Sequence, residues 1–432
     1  MFKSVPKIKV RDSSAENKGK TQETREKPVQ NNVAKELSFK EELSIINLVN
    51  HLIEHAFGMR ASDIHIDPTQ EDVRARYRID GVLQDVHSFP KTIHSEIISR
   101  IKILAGLRTD EHQSAQDGRF RIHLENGVVI DVRVSITPTY YGENAVLRLL
   151  ADSSEEFTLT TLGLSPENQK KILAGIRKPF GMILATGPTG SGKTTTLYSL
   201  IKILNTKEVS IITIEDPIEY AIDGIVQIQA NPRTGLNFAN GLRSILRQDP
   251  NIIMVGEIRD SETAGIAVNT ALTGHLLLST LHTNDAATTL PRLLDMKIEP
   301  YLIASTVNVA MGQRLLRKIC PHCKEAKKVT AVELKSLSNV LPEKVLRKAP
   351  KTFYHGRGCE QCRQTGFLGR VGVHEVLVVD NTIREAILRK ASASEIRKIA
   401  VKQGMTTLLE DGFAKAAAGI TTIEEVLRTL YE

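Results

Sequence analysis

Ten residues, Gly187-Pro-Thr-Gly-Ser-Gly-Lys-Thr-Thr-Thr196, constrain this chain more than any other stretch. They have the spacing of a phosphate-cradling loop, in which backbone N–H groups turn inward around an anion and side chains at the glycines would block its approach. Gly187, Pro188, Thr189, Gly190, Ser191, Gly192, Lys193, Thr194 and Thr195 are therefore candidate binders of a nucleoside triphosphate. Lys193 would act as a point charge on the outer phosphates and Thr194 as a hydroxyl ligand for Mg2+. Before the loop, Phe180–Ala185 is a short apolar run that reads as a strand. After it, Thr195–Leu204 has helical spacing, which puts the anion at a helix N-terminus. A strand, a glycine loop and a helix in that order imply an α/β domain.

The chain has 432 residues, enough for two or three domains with real cores. Its net charge of +7 comes mostly from residues 1–40, which carry ten Lys/Arg against five Asp/Glu. The remainder is nearly neutral, so bulk charge implies no nucleic-acid groove. No apolar run approaches a membrane span and no apolar signal core opens the chain, so a cytoplasmic protein is expected.

Residues 1–40 are polar and charged and read as a disordered tail. A first domain is expected over 41–152. There Leu43, Ile46, Val49 and Ile53 recur at helical spacing, and Val73–Ile79 alternates with Arg74, Arg76 and Arg78 on one face. Phe120–Leu124 and Val128–Ile136 flank Asn126-Gly127, a hairpin signal, so this domain reads as α+β with an antiparallel sheet. Ala151–Phe157 reads as a linker. Strands and helices then alternate over 153–318, which implies a mostly parallel sheet. A cysteine-bearing insert is expected over 319–364 and a helical part over 365–432, with Thr422-x-x-Glu425 as a capping box for the last helix.

Four further clusters carry chemistry. The buried-strand run Ile252–Val255 ends at Glu257, where a carboxylate faces magnesium and its waters. A second run, Ile211–Ile214, ends at Glu215-Asp-Pro-Ile-Glu219, where Pro217 stops the strand and exposes Glu215, Asp216 and Glu219 as candidates for the general base. His275 and His282 bracket a third buried run, so they should lie at its opposite ends and not share one metal. The chain's four cysteines form two knuckles, Cys320-x-x-Cys323 and Cys359-x-x-Cys362. Four thiolates point to a closed, structural Zn2+ site.

Together these motifs resemble the secretion ATPases that drive type II secretion and type IV pilus assembly, over about residues 41–432. The phosphate loop, an aspartate box at Ile214–Glu219, a Glu-bearing second strand at Met254–Glu257 and a histidine box at Thr273–His275 and Leu281–His282 stand in that family's order. Ala61–Asp67 and Arg78–Leu83 resemble its N-terminal domain. The resemblance implies a RecA-like core with a PAS-like N-terminal domain, a homohexamer, and an inner-membrane platform protein as partner. It implies a location at the inner face of the plasma membrane, cofactors ATP, Mg2+ and Zn2+, and no direct contact with nucleic acid. It also singles out Arg133 and Arg148 as arginines that reach the γ-phosphate, and offers Glu219 or Glu215 as the group that prepares water. Extension ATPases of this family usually carry another N-terminal domain in place of the forty-residue tail, and the retraction branch lacks the tetracysteine insert. Two rivals use the same loop, a ring-shaped nucleic-acid translocase and a non-hydrolysing nucleotide-binding regulator. The first expects a basic, aromatic channel, and this chain has no Trp.

Overall fold

The computed structural model describes residues 44–124, 127–151, 157–328 and 352–431. The tail at 1–40, Leu43, Asn126 of the hairpin signal, the linker residues 152–156 and the middle of the cysteine insert lie outside the described residues. The chain divides into two compact units between Glu156 and Phe157.

The first unit opens on a helix, Ile45–Gly58, capped by Ser44, whose hydroxyl accepts from the Asn47 amide at 3.5 Å. Its buried stripe is Leu48, Val49, Leu52, Ile53 and Ala56, and Ile46, counted in the apolar stripe from sequence, faces outward. At 100° per residue Ile46 falls on the opposite side from Leu48. Six strands follow: β1 (Ala61–Pro68), β2 (Asp72–Ile79), β3 (Val82–Pro90), β4 (Gln116–His123), β5 (Val129–Thr139) and β6 (Gly142–Ala151). They make one antiparallel sheet in the order β3-β2-β1-β6-β5-β4. One face packs on the helices Ile45–Gly58 and His94–Leu104. Along β5, Ile130, Val132, Val134 and Ile136 are buried while the residues between them are not, as an antiparallel sheet with one open face requires.

The second unit is built on a seven-stranded sheet. Its strands are β7 (Gly181–Thr186), β8 (Ile211–Glu215), β9 (Val226–Gln229), β10 (Ile252–Val255), β11 (Leu276–Leu281), β12 (Val307–Ile319) and, after the pair β13 (Lys324–Lys328) and β14 (Thr352–Gly356), β15 (Phe367–Val378). Their order is β15-β12-β7-β11-β10-β8-β9, parallel throughout except for β15 against β12. Both faces are covered. Met182 and Leu184 of β7 enter one apolar cluster with Ile212, Ile253 and Leu277, and Ile183 and Ala185 enter the other with Ile211, Met254 and Leu278. Alternate residues of continuous apolar strands thus feed two cores, the pattern of a parallel sheet between helical layers.

The C-terminal part departs from the expected all-helical reading. It begins with β15, whose run Val371–Leu377 is buried and closes the sheet edge, and only then come the helices Asn381–Leu388, Ala393–Lys402, Leu408–Ala417 and Ile423–Tyr431. The capping box expected at Thr422 is half made. Glu425 N donates to Thr422 Oγ1 at 3.1 Å, but the Glu425 carboxylate turns to Arg317 and Arg428 instead of back to the cap. A bidentate guanidinium outcompetes one backbone amide for a buried carboxylate. The reciprocal box is at Thr407 and Glu410.

Candidate nucleotide site

β7 is buried at all six positions and delivers the chain to Gly187 at the sheet's carboxyl edge. The loop then needs positive φ at Gly187 (148°), Gly190 (76°) and Gly192 (85°). At two of these, space is equally limiting. A Cβ on Gly187 would fall 2.4 Å from the Gln313 carbonyl oxygen, and one on Gly192 2.9 Å from Gln313 Nε2. Gly192 caps the helix Lys193–Leu204, whose first amides and dipole face the loop. Lys193 is buried, and its Nζ donates to the carbonyls of Gly187 at 2.9 Å and Pro188 at 3.0 Å. Burial pushes its pKa down; nearby Glu257 opposes this and Arg314 adds to it. Ser191 Oγ is buried with no hydrogen-bond partner among the described residues. A glycine cradle that a methyl group would fill, a buried ammonium and an orphaned hydroxyl fit a polyphosphate. Thr194 and Thr195 sit half-buried on the first turn.

Register brings the other motifs to the same edge. Leu281 lies beside Thr186, Ser279 beside Val255, and Val255 beside Ile214, so β7, β11, β10 and β8 end together. Beyond these ends, Glu257 Oε2 accepts from or pairs with His282 Nε2 at 2.8 Å, and Arg259 holds its other oxygen. Burial raises the Glu257 pKa, but the Arg259 and His282 hydrogen bonds outweigh it and leave the carboxyl below its ordinary value. Glu257 is thus ionised at neutral pH, as a group facing a cation must be.

The two candidate bases separate. Glu215 is 2% exposed and its oxygens are taken by the hydroxyls of Tyr198 and Thr213 and by Gln227 Nε2 at 3.2 Å. It faces into the domain and not toward solvent, contrary to the expectation that Pro217 exposes it. Burial, with Glu215 next to it, raises the Tyr198 pKa, so the phenol stays a donor. Glu219 is half-buried beyond the strand, its amide donating to Tyr198 Oη at 3.3 Å. The histidines also part. His282 joins Glu257, whereas His275 precedes β11 at the far edge, roughly 20 Å away by strand rise, with Nδ1 on the Thr270 carbonyl at 3.2 Å.

Arg133 and Arg148 lie in the first unit, on the open face of its sheet. Strand register places Arg78, Asp63, Arg148, Arg133 and Arg119 in one row across β2, β1, β6, β5 and β4. Asp63, buried, joins Arg148 Nε at 2.9 Å and Arg78 Nε at 3.6 Å.

The four cysteine sulfurs lie within 4.8 Å of one another, with Cys320–Cys359 at 3.8 Å, Cys323–Cys362 at 3.7 Å and Cys359–Cys362 at 3.6 Å. Sulfurs at the corners of a tetrahedron around a Zn–S bond of about 2.3 Å stand about 3.8 Å apart, so the donor set fits that ion. Backbone N–H groups of Cys359 (3.2 Å) and Gly366 (3.3 Å) point at Cys362 Sγ. Burial works against them, yet the thiol pKa falls to about 6, while burial pushes Cys320 up to about 12.

Two residues next to the loop were not legible as functional. Gln313 of β12 bonds the loop from 122 residues away, and Arg314, half-buried, has no ion pair among the described residues and donates from Nη1 to the Gln313 carbonyl at 3.2 Å. The available signal was a Gln-Arg pair inside a run of otherwise apolar strand residues, Val309–Leu316.

The description Type II/IV secretion system protein belongs to a family model that matches residues 38–428. The type IV pilus assembly ATPase PilB of Thermus thermophilus is 49% identical over 384 residues, which are 89% of this chain and 43% of that protein. The type II secretion system protein E of Xanthomonas campestris pv. campestris is 47% identical over 389 residues, 90% of this chain and 67% of that one. The chain therefore spans under half of one relative's length and about two thirds of the other's. Among solved structures, the Legionella pneumophila ATPase DotB matches with a TM-score of 0.64 at 25% identity, covering 88% of this chain and 94% of that one. The pilus retraction motor PilT with bound ADP matches with a TM-score of 0.59 at 26% identity, covering 88% and 96%. With a family match that runs nearly from end to end and a glycine loop of phosphate-binding spacing at the sheet edge, the chain belongs to the type II/IV secretion system protein family.

Proposed function

We propose that this chain is a Mg2+-dependent ATPase whose hydrolysis cycle drives assembly of a pilus or pseudopilus, working as a homohexamer at the cytoplasmic face of the inner membrane on a multi-span platform protein. The observation that supports it most is the convergence of Lys193, Glu257 and His282 at one edge of the parallel sheet, each delivered by a different strand end. In this reading, residues 41–152 and 153–318 are the two moving parts of the motor, 319–364 a zinc subdomain and 365–432 the C-terminal part of the ATPase domain.

The roles follow from the geometry. Backbone amides from Gly187 to Thr195 and the Lys193 ammonium hold the phosphates. Leaving the loop carbonyls for a phosphate costs Lys193 little, since a charge-assisted bond replaces two neutral acceptors. Mg2+, held by Thr194 with Glu257 behind it, supplies charge neutralisation on the outer phosphates. Glu219 orients or deprotonates water, because Glu215 spends its oxygens on Tyr198, Thr213 and Gln227. His282 bonds to Glu257 and so reads the state of the γ-phosphate end; His275, at the other end of β11, takes part in phosphate sensing only across a subunit boundary. Arg133 and Arg148 supply guanidinium charge in the transition state when the first unit closes on a nucleotide. The cysteine cluster holds Zn2+ as a structural centre with no open position.

Purified chain with Mg2+ and ATP tests this directly. Phosphate release that Lys193→Ala abolishes is the expected result, and substantial turnover by that variant rejects the assignment.

A further inference from the structure

Gln313 lies on β12, not in any of the nucleotide motifs, yet both ends of its amide are spent on the phosphate loop. Nε2 donates to the Ser191 carbonyl at 2.8 Å, and Oε1 accepts from Thr196 Oγ1 at 2.9 Å. The side chain is 1% exposed. Its own carbonyl oxygen fills the space that a Cβ on Gly187 would need. One residue therefore touches the loop's first glycine, its fifth residue and the first turn of the following helix.

We infer that Gln313 is a positioning residue for phosphate binding, one that sets the direction of the loop amides. The inference rests on the nucleotide-binding reading above. The Ser191–Gly192 peptide is trans, so its C=O and N–H point in opposite directions. Holding the Ser191 carbonyl against Nε2 of Gln313 aims the Gly192 N–H the other way, into the cradle where an anion would sit. The Ser191 carbonyl, which can only accept, fixes which end of the amide faces it, and the Thr196 hydroxyl donates to the oxygen end that this leaves. The anchor is rigid. β12 is paired on one side with β7 through Gly312 and Thr186, and on the other with β15 through Gln313 and His374. Loop geometry is thereby set from a strand and not from the loop itself, which leaves the amides pre-aimed before any nucleotide arrives.

Because the same amides contact the phosphates in the ground state and through the reaction, loss of the clamp should weaken binding more than it slows chemistry. Isothermal titration of Mg-ADP into the full chain, with ATP turnover and thermal unfolding in parallel, separates this from a packing role. Gln313→Leu keeps the bulk and loses both bonds; Gln313→Glu keeps the shape and loses the donor to Ser191; Thr196→Val loosens the other end. The expected results are cooperative unfolding without nucleotide at a midpoint lowered by about a few degrees, since buried polar partners are left unpaired, a Kd raised about tenfold or more in both Gln313 variants and less in Thr196→Val, and a kcat at saturating ATP within about threefold. A folded Gln313→Leu with a Kd within twofold of the unaltered chain overturns the inference, as does loss of folding in both Gln313 variants, which would make the residue a folding determinant. An unaltered chain that neither binds Mg-ADP nor turns over ATP fails differently, by removing the proposed function on which the clamp depends.

Discussion

The two sheets of this chain use their strands in opposite ways. In the parallel sheet both faces of β7, β8, β10 and β11 are buried, so a ligand finds room only where strands stop, and the proposed nucleotide site, with Gly187, Glu257 and His282, lies there. In the antiparallel sheet one face is open, and charges line up along it in mid-strand, with Arg78, Asp63, Arg148, Arg133 and Arg119 in a single row. The contrast follows from covering. Helices on both faces leave only sheet edges for a ligand, whereas helices on one face leave the other for long polar side chains. It also explains why Glu215, although it ends a strand, is not equivalent to Glu257. Its strand stops beneath Tyr198 and Gln227, and a buried carboxylate takes the partners it finds.

The largest effect should come from the strand-end cluster. Lys193→Ala removes the buried ammonium and should cut ATP turnover by about a thousandfold or more, near 4 kcal/mol of transition-state stabilisation. The folded state should survive, since the two bonds lost are to loop carbonyls. Malachite-green phosphate assays alongside thermal unfolding measure both. Turnover above about a tenth of the unaltered rate would break the idea that chemistry resides at the strand ends.

On the open face, Arg148→Ala and Arg133→Ala should each lower kcat about a hundredfold, less than the roughly thousandfold or more that a lone arginine finger contributes, because the two share the charge. Stability should barely move for Arg148, whose side chain is about half exposed. A large loss of stability with kcat unchanged would make the row a structural ladder and erase the contrast between the sheets. Glu215→Gln sharpens the same comparison from the other side. It should leave kcat within about tenfold while costing about 1–3 kcal/mol in urea unfolding, because a neutral amide disturbs a buried set of donors. Glu219→Gln should do the reverse.

How far the sequence alone reached follows from the same geometry. The phosphate loop was legible because its constraints are local: three glycines and a lysine within seven residues, flanked by a strand and a helix. The paired Cys-x-x-Cys knuckles were legible as one cluster able to hold a metal for the same reason, and the parallel sheet followed from alternating strands and helices. Gln313 was not, because its partners are 117 and 122 residues away and nothing local distinguishes a clamping glutamine from a strand residue. Nor was the fate of Glu215. Its sequence context, Glu-Asp-Pro, promises an exposed turn, and only the packing of helix Lys193–Leu204 over β8 puts Tyr198 above it. β15 was missed because its run Val371–Leu377 follows a cysteine knuckle and precedes four helices, so it borrows its identity from β12, its distant partner.

The smallest expected effect tests the buried side of the comparison in a place remote from the strand ends. His374 on β15 is fully buried, with neither ring nitrogen hydrogen-bonded among the described residues, and burial, aided by the positive charge of Lys415, pushes its pKa down to about 3. In the unfolded chain this histidine protonates near pH 6.5, while in the folded chain it stays neutral, so between about pH 6.5 and 3 the unfolded state binds more protons and stability falls with acidification. At pH 5 the loss amounts to at most about 2 kcal/mol from this residue. Asp411, on the His374 amide at 2.9 Å, and Glu375 beside it are buried carboxyls with raised pKa values and act in the opposite sense, since the folded state takes up their protons first. The net slope of the unaltered chain therefore mixes both contributions, and only a difference isolates the histidine. Replacing it with Phe removes the titration while filling the same cavity, so the variant should lose less stability than the unaltered chain between pH 7 and pH 5, measured by urea unfolding at each pH. Equal slopes in the two proteins would show that the His374 ring finds a proton partner in the folded state, and that this interior is wetter than its burial implies.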